Sequence, residues 1–458
     1  MAPGNDGWAA YASDPGSKDL SPFQDYREAL GIGPGTRGAG ITVADVEYDW
    51  RQTHMELAAR GLPAPPANTL PESYRAADHG TAVLGLIGGS PDGQGVTGLV
   101  AAAELRPVSP YASGSYDPAA AITAASAGLG PGDVLLVELQ AQFQSTYLPI
   151  EAIDSDRFPV RTAIADAVRR GIVVVEPAGN GGADIGSVGI PWLTGPNALG
   201  YSGAIIVGAG GSTSQAPAST DLQWVTSSNY GARVDLQGVG VAVVTSGYGN
   251  GPDPIGGIGD RAYTACFDGT SSASATVAAA VAALQSQVIA QGRAPLTPAQ
   301  VRALLQTTGT PQQGRADRPI GPRPQVAAAV AALDGVPPPG ADPARPASTP
   351  LGPSSSRVVP VISGTADRPA AATIAARYVK RGGRLTIALE GVVKGAKVTA
   401  RGRAAKVARG RVVLTRVKPG RFLVVVRPPA KLRARYRAVT VVVVVAPNGT
   451  VRVIRRSV

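Results

Sequence analysis

Short apolar runs alternate with alanine-rich windows of helical spacing between about residues 40 and 330. The short runs predict strands, and the longer windows predict helices. The predicted strands are 41–46, 133–139, 172–175 and 204–207. The predicted helices are 79–87, 119–127, 160–170, 271–291 and a further one opened by Thr297-Pro298 and closed near Gly309. Apolar strands separated by helices predict an α/β fold, in which helices cover both faces of a parallel sheet.

The composition changes after residue 334. Residues 335–360 are dominated by Pro, Gly, Ala and Ser, which favour an extended linker over a packed core. Beyond it, valine-rich runs at 412–414, 422–426 and 439–445 are separated by turn sequences. We therefore predict an N-terminal extension (1–34), an α/β domain (35–334), a linker (335–360) and a small all-β, sandwich-like domain (361–458).

Charge is divided between these parts. Residues 366–458 carry 23 Lys and Arg against two acidic residues, a charge of +21, whereas the first 365 residues carry −10. Opposite charges within one chain predict parts with different partners. The basic part fits a polyanion such as an anionic cell-surface polymer, an acidic polysaccharide or nucleic acid, although a solvated face of a β domain has the same composition.

Composition excludes a disulfide scaffold, a protein with a multi-thiolate metal site and a membrane-spanning protein. The single cysteine, Cys266, rules out an intrachain disulfide and a multi-thiolate metal site. Apolar runs such as 438–446 are too short to span a bilayer. Because the chain has only two histidines, His54 and His79, a mechanism that needs an imidazole base has two candidates, and His54 fits a surface or core position better.

Four candidate functional side chains lie at predicted element ends. Asp45 comes at the end of the first strand, His79 opens a helix, Asn180 follows a strand, and Ser271 opens the longest helix. In parallel α/β sheets, strand ends and the starts of the following helices meet along one edge. A serine nucleophile needs a base, an acid that orients the base, and donors for the oxyanion, so these residues predict a hydrolase site.

The stretches around these residues resemble the motifs of a known family. His79-Gly80-Thr81-Ala82, Ala178-Gly179-Asn180 and the segment 269–274 (Gly-Thr-Ser-Ser-Ala-Ser) resemble the histidine, oxyanion-asparagine and serine motifs of the subtilisin-like serine peptidases, the subtilases. The segment 228–231 (Ser-Asn-Tyr-Gly) is similar to another stretch common in that family. The motifs also follow the family's order, and the resemblance covers roughly residues 35–330.

The resemblance implies a serine endopeptidase with a subtilisin-like fold. Ser271 would attack the peptide carbonyl, His79 would act as general base and then acid, and Asp45 would orient the imidazole. Asn180 would stabilise the oxyanion together with the Ser271 amide. The substrate-binding residues implied by the resemblance are Glu138, Leu139, Gln140 and Gly179.

The chain departs from the family pattern at four points. Val46-Glu47-Tyr48 replaces the usual small residue and glycine after the acid, which leaves Asp49 as an alternative to Asp45. Glu138 replaces a serine, and its carboxylate would either select basic substrates or bond within the site. Ala275 replaces a proline in the first helical turn, where alanine is well tolerated. Only 44 residues precede Asp45, fewer than the propeptide that many subtilases carry.

Other interpretations of the same residues stay open. Ser271 and Thr270 are good helix caps, Asn180 suits a turn, and His79 suits a buried structural position. Glu47, Glu138 and Ala275 are also consistent with a catalytically degenerate binding protein on the same scaffold, and an esterase would use the same triad. We expect a monomeric, extracellular or cell-surface enzyme that acts on protein or peptide substrates, although no signal peptide is visible. No cofactor is expected to be required, no metal ligands can be named, and structural calcium stays open with its ligands unknown.

Overall fold

The computed structural model describes residues 26–33, 35–66, 76–112, 115–143, 146–153, 159–186, 202–212, 220–249, 254–256 and 259–336, together with the backbone of nine strands between 373 and 457. The chain divides into two compact units, Met1–Ser348 and Thr349–Val458. Each unit is described below by itself. Residues 337–360 of the predicted linker lie outside the described residues. The sandwich-like packing of the second unit and the domain boundaries drawn from composition stay predictions.

A six-stranded parallel sheet forms the centre of the first unit. Its order is β2-β1-β3-β6-β7-β8, and every neighbouring pair is parallel. The strands are β1 (Thr42–Val46), β2 (Glu104–Val108), β3 (Val134–Val137), β6 (Val173–Pro177), β7 (Ile205–Gly210) and β8 (Leu236–Val239). All residues of β3, β6, β7 and β8 are buried, which explains why their sequences are apolar rather than alternating.

Helices pack against both faces of this sheet. The helices are α1 (Tyr26–Ala29), α2 (Met55–Ala58), α3 (Ala76–Gly88), α4 (Pro118–Ala127), α5 (Val160–Arg169), α6 (Gly269–Ala290), α7 (Pro298–Thr308) and α8 (Val326–Ala331). One core cluster joins Val43 and Leu136 of the sheet to α3 and α6, and a second joins Ala44 and Val46 to α4 and α5. The predicted subtilisin-like α/β fold, with a parallel sheet covered on both faces, is confirmed for this unit.

Helix α6 runs through the core and carries mostly small residues. Val277, Val281 and Leu284 are fully buried, and burial of each such side chain contributes about 1.5–3 kcal/mol. The helix is apolar and long enough to cross a membrane by composition, but 83% of its most apolar window is buried inside the protein. This helix is therefore the central core helix of the unit.

Two smaller sheets and one N-terminal helix complete the first unit. Strands β4 (Gln140–Phe143) and β5 (Thr146–Pro149) form a hairpin directly after β3. Strands β9 (Val243–Ser246), β10 (Pro254–Gly256) and β11 (Tyr263–Phe267) form an antiparallel sheet in the order β10-β11-β9, and β11 leads into α6. Tyr26 of α1 is buried and anchors this sheet, because its hydroxyl accepts a hydrogen bond from Val244 N at 2.8 Å.

The described part of the second unit is made of antiparallel strands in two sheets. The strands are β12 (Thr373–Val379), β13 (Arg384–Glu390), β14 (Lys397–Ala400), β15 (Arg403–Ala405), β16 (Val407–Ala408), β17 (Arg411–Leu414), β18 (Gly420–Arg427), β19 (Val439–Val445) and β20 (Val451–Ser457). Their orders are β12-β13-β17-β16 and β15-β14-β18-β19-β20. The three valine-rich runs of the sequence lie in β17, β18 and β19.

Candidate active site

The candidate site forms where β1 and β3 end against α3 and α6. Successive strand residues point to opposite faces, and Val43 and Leu136 face the layer that contains α3 and α6. Asp45 and Glu47 therefore face the same layer along β1, and Glu138 faces it beyond the end of β3. The backbone N–H of Glu138 donates to Val46 O at 3.0 Å, so the two strand ends are joined at this point.

The carboxylate that contacts His79 is Glu47. His79 Nδ1 lies 2.7 Å from Glu47 Oε2, and Glu47 Oε1 accepts a hydrogen bond from Tyr48 N at 2.7 Å. Glu47 is fully buried, whereas 27% of the His79 side chain is exposed. Both oxygens of Glu47 are thus hydrogen-bonded. Glu47 holds Nδ1 of His79, and the rest of the imidazole is partly exposed.

This geometry corrects the expectation that Asp45 orients His79. The last residue of β1 is Val46, so the first position beyond the strand is that of Glu47, two residues further along the same face. Asp45 is fully buried one step deeper in the sheet. Within the part of the chain that the structure describes, neither carboxylate oxygen of Asp45 has a hydrogen-bond partner. Asp49, the alternative acid, accepts from the N–H of its neighbour Trp50 at 2.8 Å.

Gly80 allows helix α3 to approach the end of β1 closely. A Cβ at this position would lie 2.1 Å from Asp49 O and 2.5 Å from Glu47 Cγ, well inside van der Waals contact. Only glycine therefore fits directly after His79 without displacing the strand end. The His-Gly pair of the motif thus has a packing reason: it brings the imidazole within hydrogen-bonding distance of Glu47.

The charges around His79 control its protonation. Burial alone lowers the pKa of His79, but the adjacent Glu47 carboxylate and the more weakly coupled Glu138 outweigh that effect and raise the pKa to about 9. Asp45 behaves oppositely, because burial and the neighbouring Glu47 and Glu138 raise its pKa. The Glu47 carboxylate therefore favours the imidazolium form of His79, and burial favours the neutral form of Asp45.

Glu138 bonds within the site. Its side chain is buried, and Ser274 Oγ lies 2.5 Å from Glu138 Oε1. Ser271 is the third residue of α6. Of the two roles left open by the sequence, the contacts support bonding inside the site, since the carboxyl group is directed towards α6 and away from solvent.

Asn180 is oriented by the residue before Ser271. The side-chain oxygen of Asn180 accepts from Thr270 N at 2.9 Å and from Thr270 Oγ1 at 3.0 Å. The amide N–H groups of Asn180 consequently face away from Thr270. Gly269 makes this approach possible, because its φ is +87° and a Cβ there would lie 2.9 Å from Asn180 Oδ1. The Gly-Thr-Ser sequence therefore positions both the asparagine and the serine.

The remaining residues predicted to bind substrate lie around Asn180. Gln140 Oε1 accepts from Asn180 N at 3.1 Å, and Leu139 is fully buried in the core. Gly179 has a φ of +92°, and a Cβ on it would approach Tyr147 O to 2.7 Å. Substrate binding by Glu138, Leu139, Gln140 and Gly179 stays a prediction.

Asn229 is a positioning residue that sequence reasoning did not single out, although its segment was noted. Its Nδ2 donates to Ala178 O at 2.7 Å and to Tyr147 O at 2.5 Å, and its Oδ1 accepts from Ala183 N at 2.9 Å. The same residue therefore ties the β4–β5 hairpin to the segment that carries Gly179. The Ser-Asn-Tyr-Gly stretch was the available signal.

The second histidine has a structural position. His54 is fully buried, its Nε2 lies 2.9 Å from Ala262 O, and its Nδ1 accepts from Glu56 N at the start of α2. His79 is therefore the candidate base. Among the residues that the structure describes, His, Cys, Asp and Glu form no group of three or more that could hold a metal ion.

A comparison with protein families identifies the chain's family. The model of the subtilase family, Peptidase_S8, matches residues 38–322. The chain belongs to the subtilase family, and its class is that of serine-type peptidases. A comparison with curated proteins gives no match.

Several solved protease structures are similar to this chain. The self-cleaved protease domain of PatA is 21% identical over 65% of this chain and 98% of that chain, with a TM-score of 0.48. A cold-adapted subtilisin-like serine proteinase is 19% identical over 69% and 97%, with a TM-score of 0.43. A protease from Pseudoalteromonas arctica PAMC 21717 is 19% identical over 69% and 99%, with a TM-score of 0.48. The family assignment depends on the family model alone.

Proposed function

We propose that this subtilase is a serine endopeptidase that hydrolyses internal peptide bonds through an acyl-enzyme. In this proposal Ser271 is the nucleophile, His79 is the general base and then the acid, and Glu47 is the carboxylate that orients His79. The observation that carries the proposal is the 2.7 Å contact between His79 Nδ1 and Glu47 Oε2. The His79 ring also packs against Phe267, two residues before α6, with 5.5 Å between the ring centroids. Glu47 thus takes the role that the resemblance assigned to Asp45.

The proposed reaction uses each contact for one purpose. Because Glu47 holds Nδ1 of His79, Nε2 is the nitrogen that takes the proton as Ser271 Oγ attacks the peptide carbonyl. The negative charge on the carbonyl oxygen is then stabilised by the Asn180 amide and the Ser271 backbone N–H. His79 returns its proton to the leaving amine, and water hydrolyses the acyl-enzyme by the same route.

A fluorophosphonate probe tests this proposal. We expect the probe to label the wild-type chain at Ser271, and we expect casein to be cut at internal bonds identified by mass spectrometry. Ser271→Ala should abolish both signals while leaving the melting temperature nearly unchanged. Labelling that survives in Ser271→Ala would assign the reaction to another residue. Hydrolysis of short acyl esters without any cleavage of casein would instead indicate an esterase.

The second candidate is a catalytically degenerate subtilase-fold binding protein. The observation that favours it is the buried Glu138 carboxyl group, which replaces a serine of the family motif and bonds to Ser274 of α6. This candidate predicts a folded wild-type chain that neither labels nor cleaves at any pH.

The basic C-terminal part completes the proposal. Its charge of +21 over residues 366–458 supports attachment to an anionic cell-surface polymer, and such attachment suits an enzyme that acts outside the cell as a monomer. Structural calcium stays a separate proposal without named ligands.

A further inference from the structure

We propose that Gln140 is a positioning residue for the peptidase reaction: its side chain engages the backbone N–H of Asn180 and thereby leaves the side-chain amide of Asn180 as the donor to the oxyanion. This inference rests on the proposed function. It gives Gln140 a role other than the substrate binding that the family resemblance implies, because Gln140 acts through Asn180 and not on the substrate.

The first step is the pair of donor groups on Asn180. Its backbone N–H and its side-chain amide can each donate a hydrogen bond. The backbone N–H donates to Gln140 Oε1 at 3.1 Å, and the side-chain oxygen accepts from Thr270 N at 2.9 Å. Because a backbone N–H donates in both contacts, the acceptors must be the amide oxygens, which fixes the orientation of both side chains. Neither contact uses Nδ2, so Nδ2 is the donor that Asn180 can offer to an oxyanion.

The second step is the fixed position of Gln140 itself. It is the partly buried first residue of β4, and it lies opposite Pro149 in the antiparallel pairing with β5. Leu139 before it is fully buried, and Ala141 after it is buried as well. The backbone of Gln140 is therefore held on both sides, and its side chain reaches Asn180 from a paired strand.

The third step is the support of the chain on either side of Asn180. Gly179 O accepts from Asn229 N at 3.0 Å, and Gly181 O accepts from Thr146 Oγ1 at 3.3 Å. Both neighbours of Asn180 thus have contacts of their own. The contact at the Asn180 N–H completes this set, and it determines how the peptide group of Asn180 itself is oriented.

The consequence concerns the transition state. A donor to the oxyanion acts when negative charge develops on the carbonyl oxygen, so its misalignment should lower kcat with little change in KM. Complete removal of one such donor costs about 10²–10³-fold in kcat. Loss of its alignment should cost part of that amount, about tenfold.

The test is a double-mutant cycle on a peptide substrate. Gln140→Met keeps the length of the side chain and removes its acceptor. We expect it to lower kcat about tenfold in the wild-type background, with KM nearly unchanged. In the Asn180→Ala background, the donor that Gln140 positions is already absent, so Gln140→Met should change kcat by less than about twofold.

NMR of the full chain gives a second readout that does not depend on activity. The chain has seven asparagines, so labelling with 15N-asparagine gives few backbone amide resonances, and the Asn180 resonance is the one missing from Asn180→Ala. Its amide proton should move upfield in Gln140→Met, because it loses its acceptor. Gln142→Met is the matched control: Gln142 lies on the same face of β4 and is exposed, so this variant should change neither the resonance nor kcat.

Two kinetic results would overturn the inference. One is an equal loss of kcat in both backgrounds, and the other is a rise in KM without a loss of kcat, which would assign Gln140 to direct substrate binding. An unchanged Asn180 resonance in folded Gln140→Met would also overturn it. If Gln140→Met does not fold, Gln140→Ala removes the same acceptor and carries the same expectations. A shifted resonance in a chain whose wild type is inactive would support the Gln140–Asn180 contact and overturn the proposed function instead.

Discussion

Three buried carboxyl groups, those of Asp45, Glu47 and Glu138, lie at the ends of β1 and β3, and they differ in their contacts. Glu47 bonds directly to the imidazole, Glu138 bonds to Ser274, and Asp45 lies deeper without a hydrogen-bond partner among the described residues. Each group experiences the charge of the others, so they cannot all ionise cheaply in a buried site. Of the three groups, Glu47 is the one whose two oxygens both have hydrogen-bond partners among the described residues.

Asp45 and Glu47 differ in what their loss should do. The pKa of the buried Asp45 carboxyl group is raised. Asp45→Asn replaces this group with a neutral one of the same shape, so the charge of the site should change little. Glu47→Gln removes the anion that holds the His79 tautomer and stabilises the imidazolium. Loss of such an anion costs about 10⁴-fold in kcat in a well-studied serine protease triad.

At the scale of elements, the site depends on close approach of α3 to the end of β1. We predict that Gly80→Ala destabilises the protein by about 1–3 kcal/mol, because the added methyl group would overlap Asp49 O and Glu47. The same displacement should separate His79 from Glu47 and reduce kcat/KM. Urea denaturation and peptide hydrolysis measure the two effects.

Gly35→Ala is the matched control for this prediction. Among the described residues, no heavy atom lies within 4 Å of a Cβ at Gly35, and the φ of Gly35 is not in the left-handed region, so neither stability nor activity should change. A Gly80→Ala protein as stable and as active as the control would show that the close packing of α3 is not needed for the site.

Helices were more predictable than the ends of strands. Thr297 begins α7 as predicted, and Asp117 caps α4 in the same way, because a capping side chain followed by proline is a local signal. Helices α3 and α6 begin three and two residues before their predicted starts, at Ala76 and Gly269. Four of the six strands of the first unit's central sheet follow from apolar runs, whereas β2 and β8 were not predicted. The β9–β11 sheet has register shifts and short strands that give little periodic signal.

The candidate site was only partly predictable, because part of it depends on how separate elements pack together. The motifs around His79, Asn180 and Ser271 are local in sequence. The choice between Asp45 and Glu47 depends on where β1 ends relative to α3, because both acids lie on the same face of one strand. The inward direction of Glu138 depends on its packing against α6. Neither feature is encoded in the spacing of residues along one segment.

At the scale of the whole molecule, the two ends of the chain have opposite charge. We predict salt-sensitive retention of the full chain on immobilised heparin, because Lys and Arg release counterions when they neutralise a polyanion. Replacement of three basic residues of the C-terminal part by glutamine should lower the salt concentration at elution. The residues are Arg452, Arg455 and Arg456.

The control changes the same number of charges in the first unit. The control variant replaces three arginines of the first unit by glutamine, each with a side chain more than 40% exposed. These replacements should change the salt concentration at elution much less than those in the C-terminal part. The residues are Arg106, Arg169 and Arg315. Equal effects of the two triple variants would assign retention to overall charge and contradict a binding role for the C-terminal part.

The central claim, that Ser271, His79 and Glu47 form one proteolytic site, is tested most directly by kcat/KM on a peptide substrate in two single variants. We predict that Glu47→Gln lowers kcat/KM by at least about 10³-fold, whereas Asp45→Asn stays within about tenfold of wild type. Both proteins should retain native circular dichroism. A large loss in Asp45→Asn together with near wild-type activity in Glu47→Gln would contradict the account.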